Sequence, residues 1–201
     1  SIGVLLVDPT SPYSNGSILG DRIRMNNYNS DVFIRSLATR GSKGGLSENI
    51  DDISKILDYA GYDIVIFETV GVGQVELDVV EVVDTVIVTL VPESGDDIQM
   101  MKAGLIEIAD IYVINKSDRK DAEKLNLYLD NMLSMIDKSK WKPDIVKTIA
   151  TTGEGIDQLI EIVYNHKKHL INNNILDLKN KKKYIRVIKR KIDAKLKNDF
   201  W

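Results

Sequence analysis

The chain has no cysteine among its 201 residues, which excludes disulfides, thiolate metal sites and cysteine nucleophiles and fits a reducing compartment. It has two histidines, His166 and His169, so there is no histidine-rich metal tract either. Long apolar runs are also missing. The longest, such as residues 85–91, fall far short of the roughly 20 residues that span a bilayer, and no signal-peptide pattern precedes Asp8. The expected location is the cytoplasm, with no membrane partner. Neither sign of charge dominates, since 27 basic and 30 acidic side chains leave a net charge of −3. With 43% hydrophobic residues, this composition argues against disorder and low complexity and for a soluble globular chain with a substantial core.

The charge is unevenly spread. Residues 1–165 carry 15 basic and 27 acidic side chains, whereas 166–201 carry 12 basic and 3 acidic. This contrast separates a main domain, residues 1–170, from a basic C-terminal helical arm, residues 171–201, that starts at the polar Asn172-Asn173-Asn174. Within the arm Ile185, Ile188, Ile192 and Leu196 recur at i, i+3, i+7 and i+11, which puts them on one helical stripe with charges opposite. Docking on a partner helix, a second copy or the main domain is the favoured reading, with nucleic acid or membrane as rivals.

Along the main domain, short β-branched runs alternate with helical patterns. Residues 2–7, 64–67, 85–91, 111–115 and 145–149 suit strands buried on both faces. Ser47 is placed to cap a helix bearing Ile50, Ile53, Ile56 and Leu57, and Gly61 to end it. Further helices are predicted after Asp96-Asp97, around Leu125, Leu129, Leu133 and Ile136, and after Gly155 with Ile156, Leu159, Ile160 and Val163. Such alternation predicts an α/β fold with a mostly parallel sheet, helices on both faces, and ligands at the carboxyl ends of the strands.

The chemistry gathers at those ends. Three strands finish in Asp8-Pro9, in Glu68-Thr69-Val70-Gly71 and in Asn115-Lys116-Ser117-Asp118, which an α/β sheet collects on one edge. Carboxylates such as Asp8 and Glu68 are hard oxygen ligands for Mg²⁺ bound jointly with phosphate, and Gly71 and Gly73 let backbone amides approach a terminal phosphate. An Asp-Pro pair standing alone would simply be a turn. Asn-Lys-x-Asp after a buried strand is more specific, being the guanine-reading signature of GTPases. The Asp118 carboxylate would accept from the guanine ring N–H and the exocyclic amine, a donor pair that adenine lacks. Lys116 would flank the base, and backbone amides of Ile149-Ala150-Thr151 would supply donors from the loop after the last strand.

The run Asp8-Pro9-Thr10-Ser11-Pro12, the run Ile18 to Met25, and Arg35 to Gly41 resemble the methylmalonyl-CoA mutase-associated GTPases. In order follow Glu68 to Gln74, Gly95-Asp96-Asp97-Ile98-Gln99, Ile108-Ala109-Asp110 and Asn115 to Asp118, so the resemblance covers essentially residues 2–170. This is the MeaB/ArgK type, also labelled LAO/AO transport kinases, within the G3E class of P-loop GTPases. The resemblance implies GTP and GDP as ligands, Mg²⁺ as cofactor, and a homodimer that serves as chaperone of an adenosylcobalamin-dependent mutase. It implies Asp21, Asp8 and Glu68 around the metal and the γ-phosphate. Arg24, Asp96 and Lys102 resemble the family's switch residues, with Glu68, Lys102 and Gln74 as catalytic candidates. Lys102 reads equally as a solvated helix lysine, and Arg35 and Arg40 as phosphate contacts, partner contacts or residues of a surface loop. His166 and His169 are expected to face solvent.

One departure stands out. The family's G-x-x-x-x-G-K-[ST] phosphate loop occurs nowhere in these 201 residues. Its amides would cradle the phosphates, its lysine would neutralise them and its hydroxyl would complete the Mg²⁺ shell. The strand feeding that loop is normally central, so the sheet is expected to be interrupted. The chain also starts abruptly in a strand without methionine, as a fragment does, and is expected to hydrolyse GTP poorly. Two alternatives remain open: a noncatalytic mutase-binding or dimerisation module, and a G3E metallochaperone for another metal enzyme.

Overall fold

A computed structural model describes residues 1–8, 32–38, 45–69, 80–92, 108–135 and 141–200. The elements in chain order are β1 (Ile2–Asp8), β2 (Val32–Ala38), α1 (Gly45–Tyr59), β3 (Ile64–Thr69), β4 (Ile87–Leu90), β5 (Ile111–Asn115), α2 (Ala122–Leu133), β6 (Asp144–Thr148), α3 (Ile156–Asn172) and α4 (Ile175–Phe200). The chain forms two compact units, residues 1–83 with 183–201, and residues 84–182.

In the first unit β1 is the central strand, parallel to β2 on one side and β3 on the other, with Ile2 facing Val32 and Ile64. Being paired on both sides, β1 buries Leu5, Leu6 and Val7, while the flanking strands are only partly covered. Val7, Ile50 of α1 and Val82 form a core that Leu37, Phe67 and Val83 extend. Gly61 closes α1, as predicted, with φ at 84°; its N–H donates to the Asp58 carbonyl and the Tyr62 N–H to that of Leu57. The C-terminal part of α4 presents Val187, Arg186 and Arg190 inward. Both guanidinium groups meet Asp51 on α1, with Arg186 Nη2 at 2.9 Å and Arg190 Nη1 at 3.2 Å. Asp51 is only 4% exposed, so the two arginines compensate a carboxylate that burial would otherwise penalise.

In the second unit β5 is central between β4 and β6, again all parallel, with Ile111 facing Ile87 and Asp144. Residues 111–114 are all buried, the pattern expected of a strand covered on both faces. On one face Tyr112 and Ile114 pack with Leu90, Ala109 and the α2 residues Ala122, Leu129 and Leu133. Helix α3 packs on β5 and β6. It stops at Asn172, and Asn174 adopts φ 55° before α4 begins, at the polar break seen in the sequence. Among the described residues no helix is long and apolar enough to cross a membrane.

Several expectations need correction. The parallel α/β expectation holds, with the described strands in two three-stranded parallel ladders, β2-β1-β3 and β4-β5-β6, whereas details differ. Strand β2 was not foreseen, because Arg35 and Ser36 interrupt its apolar run. Helix α1 starts at Gly45, ahead of the expected cap at Ser47. Strand β4 is shorter than the apolar run 85–91. The helix predicted after Asp96-Asp97 lies outside the described residues.

Candidate nucleotide site

Strand β5 carries the chain to Asn115, and the backbone then turns sharply. Lys116 sits in the left-handed region at φ 57°, unusual for a residue with a Cβ, and the Arg119 N–H closes the turn on the Lys116 carbonyl at 3.0 Å. The Ser117 N–H donates to the Thr148 carbonyl at 3.1 Å, which fastens this turn to the end of β6. Asn115 makes the second link. Its Oδ1 accepts from the Ala150 N–H at 3.1 Å and from the Thr148 hydroxyl at 3.3 Å. The buried Thr148 was not singled out from the sequence; its signal was a polar residue at an inward position of β6.

The loop after β6 folds on itself. Ile149 and Glu154 form an antiparallel bridge, the Ile149 N–H donating to the Glu154 carbonyl at 3.0 Å. The N–H groups of Thr152 and Gly153 both donate to the Ile149 carbonyl. Of the three amides expected to serve the base, those of Ile149 and Ala150 are thus engaged internally. The Thr151 N–H is the one without an acceptor among the described residues. Lys116, Asp118, Ala150 and Thr151 are exposed, and the Asp118 carboxylate has no partner among the described residues. The result is a rigid double loop presenting an outward carboxylate, an outward amide and a lysine stem.

In the first unit, Asp8 ends β1 and Glu68 lies in register with Leu6 on β3, so both stand towards the carboxyl edge of the same small sheet. Glu68 is exposed. Arg35 lies on β2, opposite Leu5. Asp21, Arg24, Arg40, Gly71, Gly73, Gln74, Asp96 and Lys102 lie outside the described residues. No group of three or more His, Cys, Asp or Glu placed to hold a metal occurs among the described residues. His166, expected to face solvent, is 1% exposed and is corrected here: it falls on the inward stripe of α3 with Leu170.

Over residues 1–201 the sequence matches the family described as methylmalonyl-CoA mutase-associated GTPase MeaB. The chain belongs to the MeaB family. Among its MeaB-like relatives, a Pyrococcus horikoshii GTPase-family protein is 52% identical over 175 residues, covering 84% of this chain and 55% of that protein. The GTPase ArgK of Escherichia coli is 36% identical over 176 residues, covering 84% of this chain and 53% of its own length. The chain therefore spans about half the length of these relatives. HypB from Helicobacter pylori, solved in complex with nickel, shares the fold with a TM-score of 0.52 at 16% identity, over 83% of this chain and 75% of that one. That likeness is one of fold, a parallel-sheet α/β arrangement.

Proposed function

We propose that this protein binds and hydrolyses GTP as a chaperone of adenosylcobalamin-dependent methylmalonyl-CoA mutase, reading guanine through the double loop at the ends of β5 and β6. The observation that carries the reading is the Asn115 side chain, whose Oδ1 accepts from Ala150 and Thr148 and so locks the two loops together. Asp118 accepts from the guanine N1–H and the exocyclic amine, the Thr151 N–H donates to the guanine carbonyl, and the Lys116 stem covers the ring. Adenine presents the opposite polarity at these atoms and would leave the site's groups unpaired. Ile149 and Ala150 act by shaping the loop.

Two carboxylate residues towards the carboxyl edge of one sheet, Asp8 and Glu68, have the hard oxygen chemistry that Mg²⁺ takes, and Asp21 completes the proposed set. The ion would supply charge neutralisation at the phosphates. Gly71 would approach the terminal phosphate; Glu68, Gln74 and Lys102 serve turnover, and Arg24, Asp96 and Lys102 serve as switch residues. The mutase partnership follows the family description, and a cytoplasmic setting belongs to the same proposal. Support for a homodimer comes from α4, whose outer stripe of Ile185, Ile188, Ile192 and Leu196 is 40–63% exposed, opposite the face that carries Val187. The exposed stripe also favours a second reading, a docking module without turnover.

Calorimetric titration with GDP and GTP plus Mg²⁺ tests the proposal, using this chain and a version extended upstream to carry a G-x-x-x-x-G-K-[ST] loop. The extended version is expected to bind more tightly. Asp118→Asn is expected to lower its GTP-over-ATP preference at least tenfold, about 1.4 kcal/mol. An unchanged preference overturns the base-site assignment, and tight binding without turnover favours the docking module.

A further inference from the structure

A second cluster in the 84–182 unit lies at the opposite end of its strands from the guanine loops and takes no part in nucleotide reading. Helix α3 inserts His166 where β4, β5 and β6 begin. The ring Nδ1 lies 2.9 Å from the Thr85 hydroxyl, just before β4, and Nε2 lies 3.4 Å from Asp110 Oδ1, just before β5. Asp110 is itself committed: its Oδ2 accepts from the Val86 N–H at 2.8 Å and its carbonyl from the Trp141 indole N–H at 2.9 Å. Trp141, just before β6, packs against both histidines in tilted geometry, with ring centroids 4.8 Å from His166 at 52° and 4.9 Å from His169 at 49°. One imidazole thus ties α3 to the starts of all three strands.

This arrangement suits a neutral ring. With the proton on Nε2, the ring donates towards Asp110 and its bare Nδ1 accepts from the Thr85 hydroxyl, so every polar atom is served. A second proton on Nδ1 removes that acceptor and forces the Thr85 hydroxyl to turn. The charged groups around the ring are Asp110 and Asp84, which favour the added charge, and Lys179 and His169, which oppose it. Lys179 is held in place by donating to the Asp84 carbonyl at 2.6 Å. Asp110 lies at contact distance from the ring, and its Oδ2 is already engaged by the Val86 N–H.

We propose that His166 is an acid-sensitive latch: the neutral ring pins α3 and Trp141 to the strand starts, and its protonation releases them. Burial is the largest influence on the ring and lowers its pKa from the ordinary value of 6.5, outweighing the upward pull of Asp110. The sign follows. Below about pH 6.5 the unfolded chain takes the proton more readily than the folded one, so this unit loses stability as pH falls from there through the folded pKa. The loss is up to about tenfold in the folding equilibrium constant per pH unit.

The test follows the histidine ring C–H signals by NMR and Trp141 emission from pH 8 to 5 in the full chain, with Trp201→Phe to isolate Trp141. The expected result is a His166 midpoint below 6.5 with Trp141 emission changing at the same midpoint. The melting temperature is expected to fall over that range in the parent chain and in His169→Gln, and to be flat in His166→Gln. A His166 midpoint at or above 6.5, or Trp141 emission that ignores it, overturns the latch. Should His166→Gln not fold, the titration of the histidine-bearing chain still decides.

Discussion

Two glycines in the loop between β6 and α3 share a backbone conformation but not a neighbourhood, and the pair makes a controlled experiment. Gly153 has φ 83° and Gly155 has φ 78°. A Cβ at Gly153 would meet nothing within 4 Å, whereas at Gly155 it would lie 2.1 Å from the Lys147 carbonyl oxygen and 3.2 Å from Thr148 Cα. Alanine in the left-handed region costs about 1–2 kcal/mol, offset by about 0.4–1 kcal/mol because the unfolded chain loses freedom. Gly153→Ala is therefore expected to cost about 1 kcal/mol. Gly155→Ala carries the same term and must also clear an overlap of roughly 1 Å against rigid backbone of β6, which adds about 2 kcal/mol. Urea unfolding of the two variants should separate them by about 2 kcal/mol, close to thirtyfold in the equilibrium constant. Because Thr148 holds Ser117 and Asn115, only Gly155→Ala should also shift the amide resonances of Ser117 and Ala150. Equal costs for the two variants would refute the steric argument.

Asp51→Ala removes the buried carboxylate that Arg186 and Arg190 share and is expected to cost about 3 kcal/mol in chemical unfolding. Glu81→Ala, which removes the other partner of Arg186 at a residue 63% exposed, should cost under about 1 kcal/mol; a reversed order would sink the argument. Burial pushes the Tyr112 phenol up from 10 to about 12, which favours the protonated form in the fold. Its contribution to stability is therefore complete below pH 10 and is lost as pH rises from 10 towards 12. In a tyrosinate absorbance titration, Tyr112→Phe should remove a phenol that ionises near pH 12, and loss of one that ionises near pH 10 contradicts the assignment.

Much of the architecture was legible because buried parallel strands need little more than a run of β-branched residues, as at 111–114. Helix ends marked by Gly61 and by Asn172 to Asn174 were equally clear. Strand β2 escaped because it is only half covered, so Arg35 and Ser36 are tolerated where a central strand would exclude them. His166 escaped for another reason: a histidine at i+7 from Leu159 and four before Leu170 belongs to the inward stripe, but residue type pointed outward. In the candidate site, the spacing of Asn115, Lys116 and Asp118 already placed them on one turn after β5, where the structure has them. Which amide of Ile149, Ala150 and Thr151 stays available was not, since it depends on the Ile149–Glu154 bridge and on the Asn115 rotamer.

The first unit is assembled from two distant stretches, with Asp51 bonded to Arg186 and Arg190 across 135 and 139 residues of sequence. A ribosome adding about 5–20 residues per second needs roughly 7–30 s to make that span. During that interval the α1 carboxylate faces water, and the face of α1 that will hold α4 stands bare. Residues 84–182 form one uninterrupted stretch, available as a unit once Lys182 has emerged. Between the two units, birth order thus runs against completion: residues 1–83 emerge before 84–182, yet their unit waits for residues 183–201.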